Sequence, residues 1–125
     1  MSGKPWRVLV ADDDPTAGLL MRAALAGDDF QTTIVDRGDL ALEAFGNAPF
    51  DIVLLDVEMP GLDGFEVGTA IRRSHGAGFP LVLVSGRGDP GFVERARVLS
   101  AAVIAKPVNW SSLAEQLRTL LKASA

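Results

Sequence analysis

The sequence predicts a doubly wound α/β fold, five strands in a parallel sheet flanked by five helices. Two observations carry this. Apolar, β-rich runs alternate with helical patterns along the whole chain, and no linker, repeat or low-complexity tract interrupts them. Most of the runs are continuously apolar rather than alternating, the pattern of strands covered on both faces. The length of 125 residues, 48% of them hydrophobic, suffices for one core without disulfides or structural metal, so residues 1–125 are predicted to form a single domain.

The strands are read at Trp6 to Ala11, Phe30 to Val35, Ile52 to Leu55, Leu81 to Val84 and Val103 to Ala105. The second contains Gln31, Thr32 and Thr33 and is therefore expected at a sheet edge, whereas the others read as buried. Helices are predicted at roughly 16–26, 38–47, 64–74, 90–100 and 110–123. Phe92, Val93, Ala96 and Leu99 give the fourth helix an apolar face, and Leu113, Leu117, Leu120 and Leu121 give one to the fifth. Trp110, at the start of the fifth helix, is read as a staple against the core. Right-handed crossovers wind these elements into strand order 2-1-3-4-5, the flavodoxin-like arrangement, whose ligands bind beyond the carboxyl ends of the strands.

Composition removes several function classes. Formal net charge is −4, which disfavours direct binding to nucleic acid or an anionic membrane. No cysteine is present, so thiolate metal sites and cysteine nucleophiles are excluded. No apolar stretch approaches the ~18 residues of a membrane span, and the start does not resemble a signal peptide, so a cytoplasmic location is expected.

The chemistry-bearing residues fall at strand ends. The first strand runs into Asp12, Asp13 and Asp14 before Pro15. One acid, best Asp14, serves as a helix cap; Asp12 and Asp13 are either further helix-start acids or hard oxygen ligands for Mg²⁺ or Mn²⁺. The third strand ends in Asp56, which faces the first pair across the crevice, while Asp63 before Gly64 reads as a cap. The fourth ends in Ser85 and Gly86, a hydroxyl donor beside a small residue that leaves room for a tetrahedral oxyanion. The fifth ends in Lys106 and Pro107, whose ammonium offsets the acids. The only histidine, His75, lies at a polar helix end far from this edge, which leaves a carboxylate as nucleophile for phosphoryl transfer.

Together, Asp12-Asp13, Leu-Leu-Asp56-Val-Glu-Met-Pro-Gly-Leu-Asp-Gly, Val-Ser85-Gly-Arg-Gly-Asp-Pro and Lys106-Pro107 closely resemble the receiver domains of response regulators, the CheY-like superfamily of two-component signalling. The resemblance implies that Asp56 accepts a phosphoryl group from a sensor histidine kinase or phosphotransfer protein, with Ser85 and Lys106 as the catalytic hydroxyl and ammonium. It implies Mg²⁺ held by Asp12, Asp13, Asp56 and the backbone carbonyl of Glu58, and a cis bond before Pro107. It implies a domain that is no turnover enzyme but catalyses its own phosphorylation and dephosphorylation. Phosphorylation would then shift the face made by the fourth helix, fifth strand and fifth helix toward an output domain, an effector or a second copy. Kinase choice would rest on first-helix residues such as Thr16, Leu19 and Arg22.

The chain departs from the family where an aromatic ring usually reports phosphorylation: Val103 stands three residues before the lysine, and Ser100 replaces a common glycine. Signalling is then expected either to be weaker or to use rearrangement of the loop from Ser85 to Arg87. Glu58 and Arg87 are expected to pair across the site mouth and tune phosphoryl lifetime. Three rival readings remain: a haloacid-dehalogenase-type phosphatase, whose motif order differs; a nucleotide-binding module, which the acidic first turn opposes; and a pseudo-receiver that only binds partners.

Overall fold

In the computed structural model, which describes residues 5–27 and 29–124, strands and helices alternate as β1 (Trp6–Ala11), α1 (Pro15–Ala24), β2 (Phe30–Val35), α2 (Gly38–Asn47), β3 (Ile52–Asp56), α3 (Gly64–His75), β4 (Leu81–Ser85), α4 (Pro90–Val98), β5 (Ala102–Ala105) and α5 (Leu113–Ser124). All pairings are parallel and the order is β2-β1-β3-β4-β5, as predicted. The register sets Ala11 beside Leu55, Asp56 beside Val84 and Ser85 beside Ala105. The carboxyl ends of four strands therefore finish at nearly one level, and whatever follows them shares one edge.

Alternation along the strands feeds two cores. Val8, Val10, Ile52 and Leu54 face Met21 and Leu25 of the α1 side and Leu113, Leu117 and Leu121 of α5. Leu9, Val53, Leu55 and Leu83 face Ala41, Ile71, Phe92 and Ala96 of α2, α3 and α4. Each of the larger side chains contributes about 1.5–3 kcal/mol by leaving water. Because β3 is buried on both faces along its length, the residue at its end is held firmly.

Helix boundaries differ from the sequence reading for local reasons. α1 stops at Ala24, and Gly27 takes φ 122° just beyond. α4 stops at Val98 because Ser100 enters the left-handed region at φ 55°, with Ala101 N–H closing on the Ala96 carbonyl at 3.0 Å. Arg72 of α3 secures that turn by donating to the carbonyls of Leu99 (2.7 Å) and Ser100 (2.9 Å), and also to those of Phe79 and Gly76. α5 begins at Leu113 rather than 110, since Asn109, Ser111 and Ser112 bond to one another in a turn that competes with helix. Trp110 lies in that turn and packs against the core.

Two burial expectations fail. β5 is an outer strand with alternating exposure, leaving Val103 exposed, because only β4 flanks it. Val93 points to solvent while Phe92 and Ala96 are buried, so the α4 face is narrower than the hydrophobic pattern indicates. Leu120, half-buried, still packs against the core as its helix face requires. Among the described residues no helix is long and apolar enough to cross a membrane.

Candidate functional site at the carboxyl edge

The three predicted acids meet. Asp12, Asp13 and Asp56 each bring a carboxylate oxygen within 4.8 Å of the others. Asp12 is buried directly beyond β1, where its N–H donates to the Val35 carbonyl and its Oδ1 accepts from the Asp14 N–H at 2.9 Å. Burial pushes the Asp12 carboxyl above its ordinary range; Asp56 and Asp13 add to this, and the Asp14 N–H and Lys106 oppose it. Asp13 is exposed and lines the pocket that opens over Asp56. Asp14 takes the capping role read from the sequence, accepting from Thr16 N–H at 3.0 Å with Pro15 in the first turn.

Asp56 is buried at the end of β3, and its Oδ1 accepts from the Lys106 ammonium at 3.2 Å and from the Glu58 N–H at 3.4 Å. Ser85 is buried at the end of β4, where its Oγ accepts from the Arg87 N–H at 3.0 Å and its carbonyl from the Lys106 N–H. The last bond fixes where the lysine leaves the sheet. The Lys106-Pro107 bond is cis. A pocket of about 750 Å³ unites Asp13, Asp56, Glu58, Ser85, Arg87 and Lys106. These groups bring together a buried carboxylate, a cation against it, a hydroxyl whose hydrogen bond is as acceptor, and acids of the kind that hold a hard divalent cation.

One sequence expectation about the mouth changes. Glu58 and Arg87 both line the pocket, but Arg87 does not pair with Glu58: its guanidinium takes both oxygens of Asp89, at 3.0 and 3.1 Å. Asp89 wins because it lies in the same turn and offers a bidentate geometry. Hydrogen bonding to Asp89 raises the Arg87 pKa, with Glu58 a lesser contributor. Gly86 also lines the pocket, and the space beside it is open: a side-chain carbon there would meet no protein atom within 4 Å.

Two other glycines belong to the site's support and escape the sequence reading. A Cβ at Gly64 would stand 2.7 Å from the Asp56 carbonyl, and one at Gly38 would overlap the Leu62 carbonyl. Their N–H groups donate to the carbonyls of Val57 and Pro60. They let α2 and α3 close on the loop that follows Asp56, and a helix start occupied by glycine is the available signal. His75 is exposed, as expected, with its ring edge-on to Phe45 at 4.7 Å. Thr16, Leu19 and Arg22 are all exposed on α1.

Comparison with known proteins bears on the family and the fold. The family model described as "Response regulator receiver domain" matches residues 8–118. The sensor histidine kinase GacS of Pseudomonas protegens is 33% identical over 122 residues, covering 92% of this chain and 13% of that protein. The DNA-binding response regulator MtrA of Mycolicibacterium smegmatis is 35% identical over 83 residues, covering 66% of this chain and 36% of that protein. The chain thus spans well under half the length of these two relatives. A CheY-like response regulator receiver domain protein from Methanospirillum hungatei superposes with a TM-score of 0.89 at 23% identity, over 97% of both chains, which speaks for the fold. The match over residues 8–118 places this chain in the response regulator receiver domain family.

Proposed function

We propose that the chain is a phosphorylatable receiver: Asp56 accepts a phosphoryl group from a phosphohistidine of a sensor histidine kinase or phosphotransfer protein, and the change controls an output domain or effector. The observation that carries this reading is the buried Asp56 carboxylate, held by Lys106 at 3.2 Å and converging with Asp12 and Asp13. An Asp56 oxygen forms a bond to phosphorus as the P–N bond to the donor imidazole breaks, and the imidazole leaves with the electron pair. The Lys106 ammonium offsets charge on Asp56 and then on the phosphoryl oxygens. The Ser85 hydroxyl, whose acceptor side is taken by Arg87, donates its proton to a phosphoryl oxygen.

The residues present fit a hard divalent cation, because three carboxylates within 4.8 Å repel one another and burial already raises Asp12. Asp12, Asp13, Asp56 and the Glu58 carbonyl would hold it. Bound Mg²⁺ or Mn²⁺ supplies neutralisation of the charge spread over the phosphoryl oxygens. Glu58 and Arg87, both at the mouth, tune water access to the acyl phosphate by separate contacts rather than as a pair. In this reading the domain's own residues, Asp56, Lys106 and Ser85, catalyse its phosphorylation and dephosphorylation.

Intact mass after incubation with acetyl phosphate and Mg²⁺ tests the proposal. A Mg²⁺-dependent gain of about 80 Da, absent in Asp56→Asn, is the expected result. No gain would leave the pseudo-receiver, for which the one favouring observation is Val103, an exposed aliphatic residue where the family's reporting ring would stand.

A further inference from the structure

A second pocket, of about 360 Å³, opens among α2, α3 and α4 and shares no lining residue with the Asp56 pocket. Its floor is Phe65, buried, with Leu42 and Leu62 half-buried beside it. Its rim carries Thr69, Arg73 and Arg95. The guanidinium carbon of Arg95 lies 3.8 Å above the centre of the Phe65 ring.

The charge state of this rim is unlike the rest of the surface. Among the described residues, Arg7, Arg37, Arg87, Arg97 and Arg118 hold carboxylates. Arg22 and Arg72 hold backbone carbonyls. Arg73 and Arg95 hold neither, although the chain carries a formal net charge of −4. The one acid lining the pocket, Glu66, is already engaged with the Asp63 N–H in a capping box. A guanidinium held over an aromatic ring by its central carbon still has N–H groups left to offer, and its fork of donors suits a carboxylate.

We propose that this pocket docks an acidic segment of a partner protein, seating an aliphatic side chain on Phe65, Leu42 and Leu62 and a carboxylate against Arg95 and Arg73. The apolar floor of Phe65, Leu42 and Leu62 favours a peptide carrying an aliphatic side chain over a nucleic-acid backbone. In the unphosphorylated chain the pocket shares no lining residue with the Asp56 pocket, so docking there needs neither the Asp56 carboxylate nor a divalent cation.

The test is an amide chemical-shift titration of the unphosphorylated chain with a blocked helical peptide bearing glutamate and leucine on one face. Its glutamine counterpart and a single-stranded DNA oligonucleotide are titrated alongside. The expected result is saturable shifts centred on Leu62, Phe65, Ala70 and Arg95 with the glutamate peptide only. Arg73→Gln and Arg95→Gln, both at exposed positions, should each weaken binding by about tenfold with the spectrum otherwise unchanged. Arg95→Lys, which keeps the charge but not the forked donor set, should also weaken it. Asp56→Asn should bind as tightly as the parent, so that failure of the phosphoryl proposal would leave this result standing. No saturable shift, equal affinity for the glutamine peptide, shifts confined to another face, or preference for the oligonucleotide would each overturn the proposal.

Discussion

Arg87 grips both carboxylate oxygens of Asp89, and Asp89 in turn caps α4 by accepting from the Phe92 N–H at 3.1 Å. The Arg87 N–H meanwhile sits on Ser85 Oγ. A continuous set of contacts therefore runs from the hydroxyl at the site to the first turn of α4. It continues inward through Phe92, which packs edge-on to Phe65 with ring centres 5.6 Å apart. Val103 cannot report by a ring rotation, and this connection supplies a route that does not need one.

If the proposed phosphoryl group draws the Ser85 hydroxyl toward Asp56, the Arg87 N–H loses its acceptor geometry and the α4 cap loosens. Amide exchange at Phe92 and Val93 should then speed up on phosphorylation while exchange in β3 stays slow. Arg87→Gln should speed it without phosphorylation and reduce the further change, because Asp89 is no longer oriented. Exchange at α4 that ignores both phosphorylation and Arg87 would remove the loop as the coupling element.

Gly64→Ala should destabilise the domain by about 1–3 kcal/mol, the usual cost of forcing extra volume into a packed junction. The added methyl would press on the Asp56 carbonyl and Val57 Cα, both backbone atoms at the end of a buried strand. Urea unfolding measures the loss, and acetyl phosphate labelling should fall as well because Asp56 itself is displaced. Unchanged stability would mean that α3 backs away freely.

Stability toward acid should depend on the opposite end of the sheet. Arg7 donates to Asp51 from Nε and Nη2 at 3.1 Å each and from its backbone N–H at 2.7 Å, and these bonds hold the Asp51 carboxyl below its usual range. A depressed folded value means stability that is complete above the unfolded pKa of about 3.9 and is lost as pH falls through the folded value. Asp51→Asn should therefore be less stable than the parent at pH 7, and the gap should close as pH falls through the depressed folded-state value. A gap that persists undiminished in acid would assign the loss to packing instead.

Legibility in the sequence follows the physics of each element. β3 is readable because four apolar residues running straight into an acid fit the end of a covered strand and little else, and the parallel register then carries Asp12, Asp13, Asp56, Ser85 and Lys106 to one edge. Asp14 and Asp63 are readable as caps because the signal is local. A Glu58–Arg87 pair is a misleading expectation because spacing from Asp56 and Ser85 says nothing of competitors, and Asp89 stands next to Arg87 in the same turn. Val93 misleads because an apolar residue adjacent to Phe92 need not share its face when the helix touches the sheet over a narrow stripe. Gly38 and Gly64 owe their importance to contacts with Leu62 and Asp56, which no local pattern announces.

The acidic cluster should make stability respond to divalent cation. Without one, the buried Asp12 carboxyl carries charge against its own desolvation and beside two other acids. Binding to the folded state alone stabilises it by about 1.4 kcal/mol at a concentration ten times Kd. Mg²⁺ should therefore raise the urea midpoint of the parent, and a chelator should return it. Asp13→Asn should abolish most of that rise while leaving the fold intact, because Asp13 is exposed and holds up no core. Ser85→Ala, by contrast, should keep the Mg²⁺ response and slow labelling by about 10²-fold, the cost of losing one well-placed oxyanion donor. The separation matters: a Mg²⁺ response that survives Asp13→Asn would place the cation elsewhere, and a labelling rate unaffected by Ser85→Ala would remove the hydroxyl from the chemistry without touching the acids.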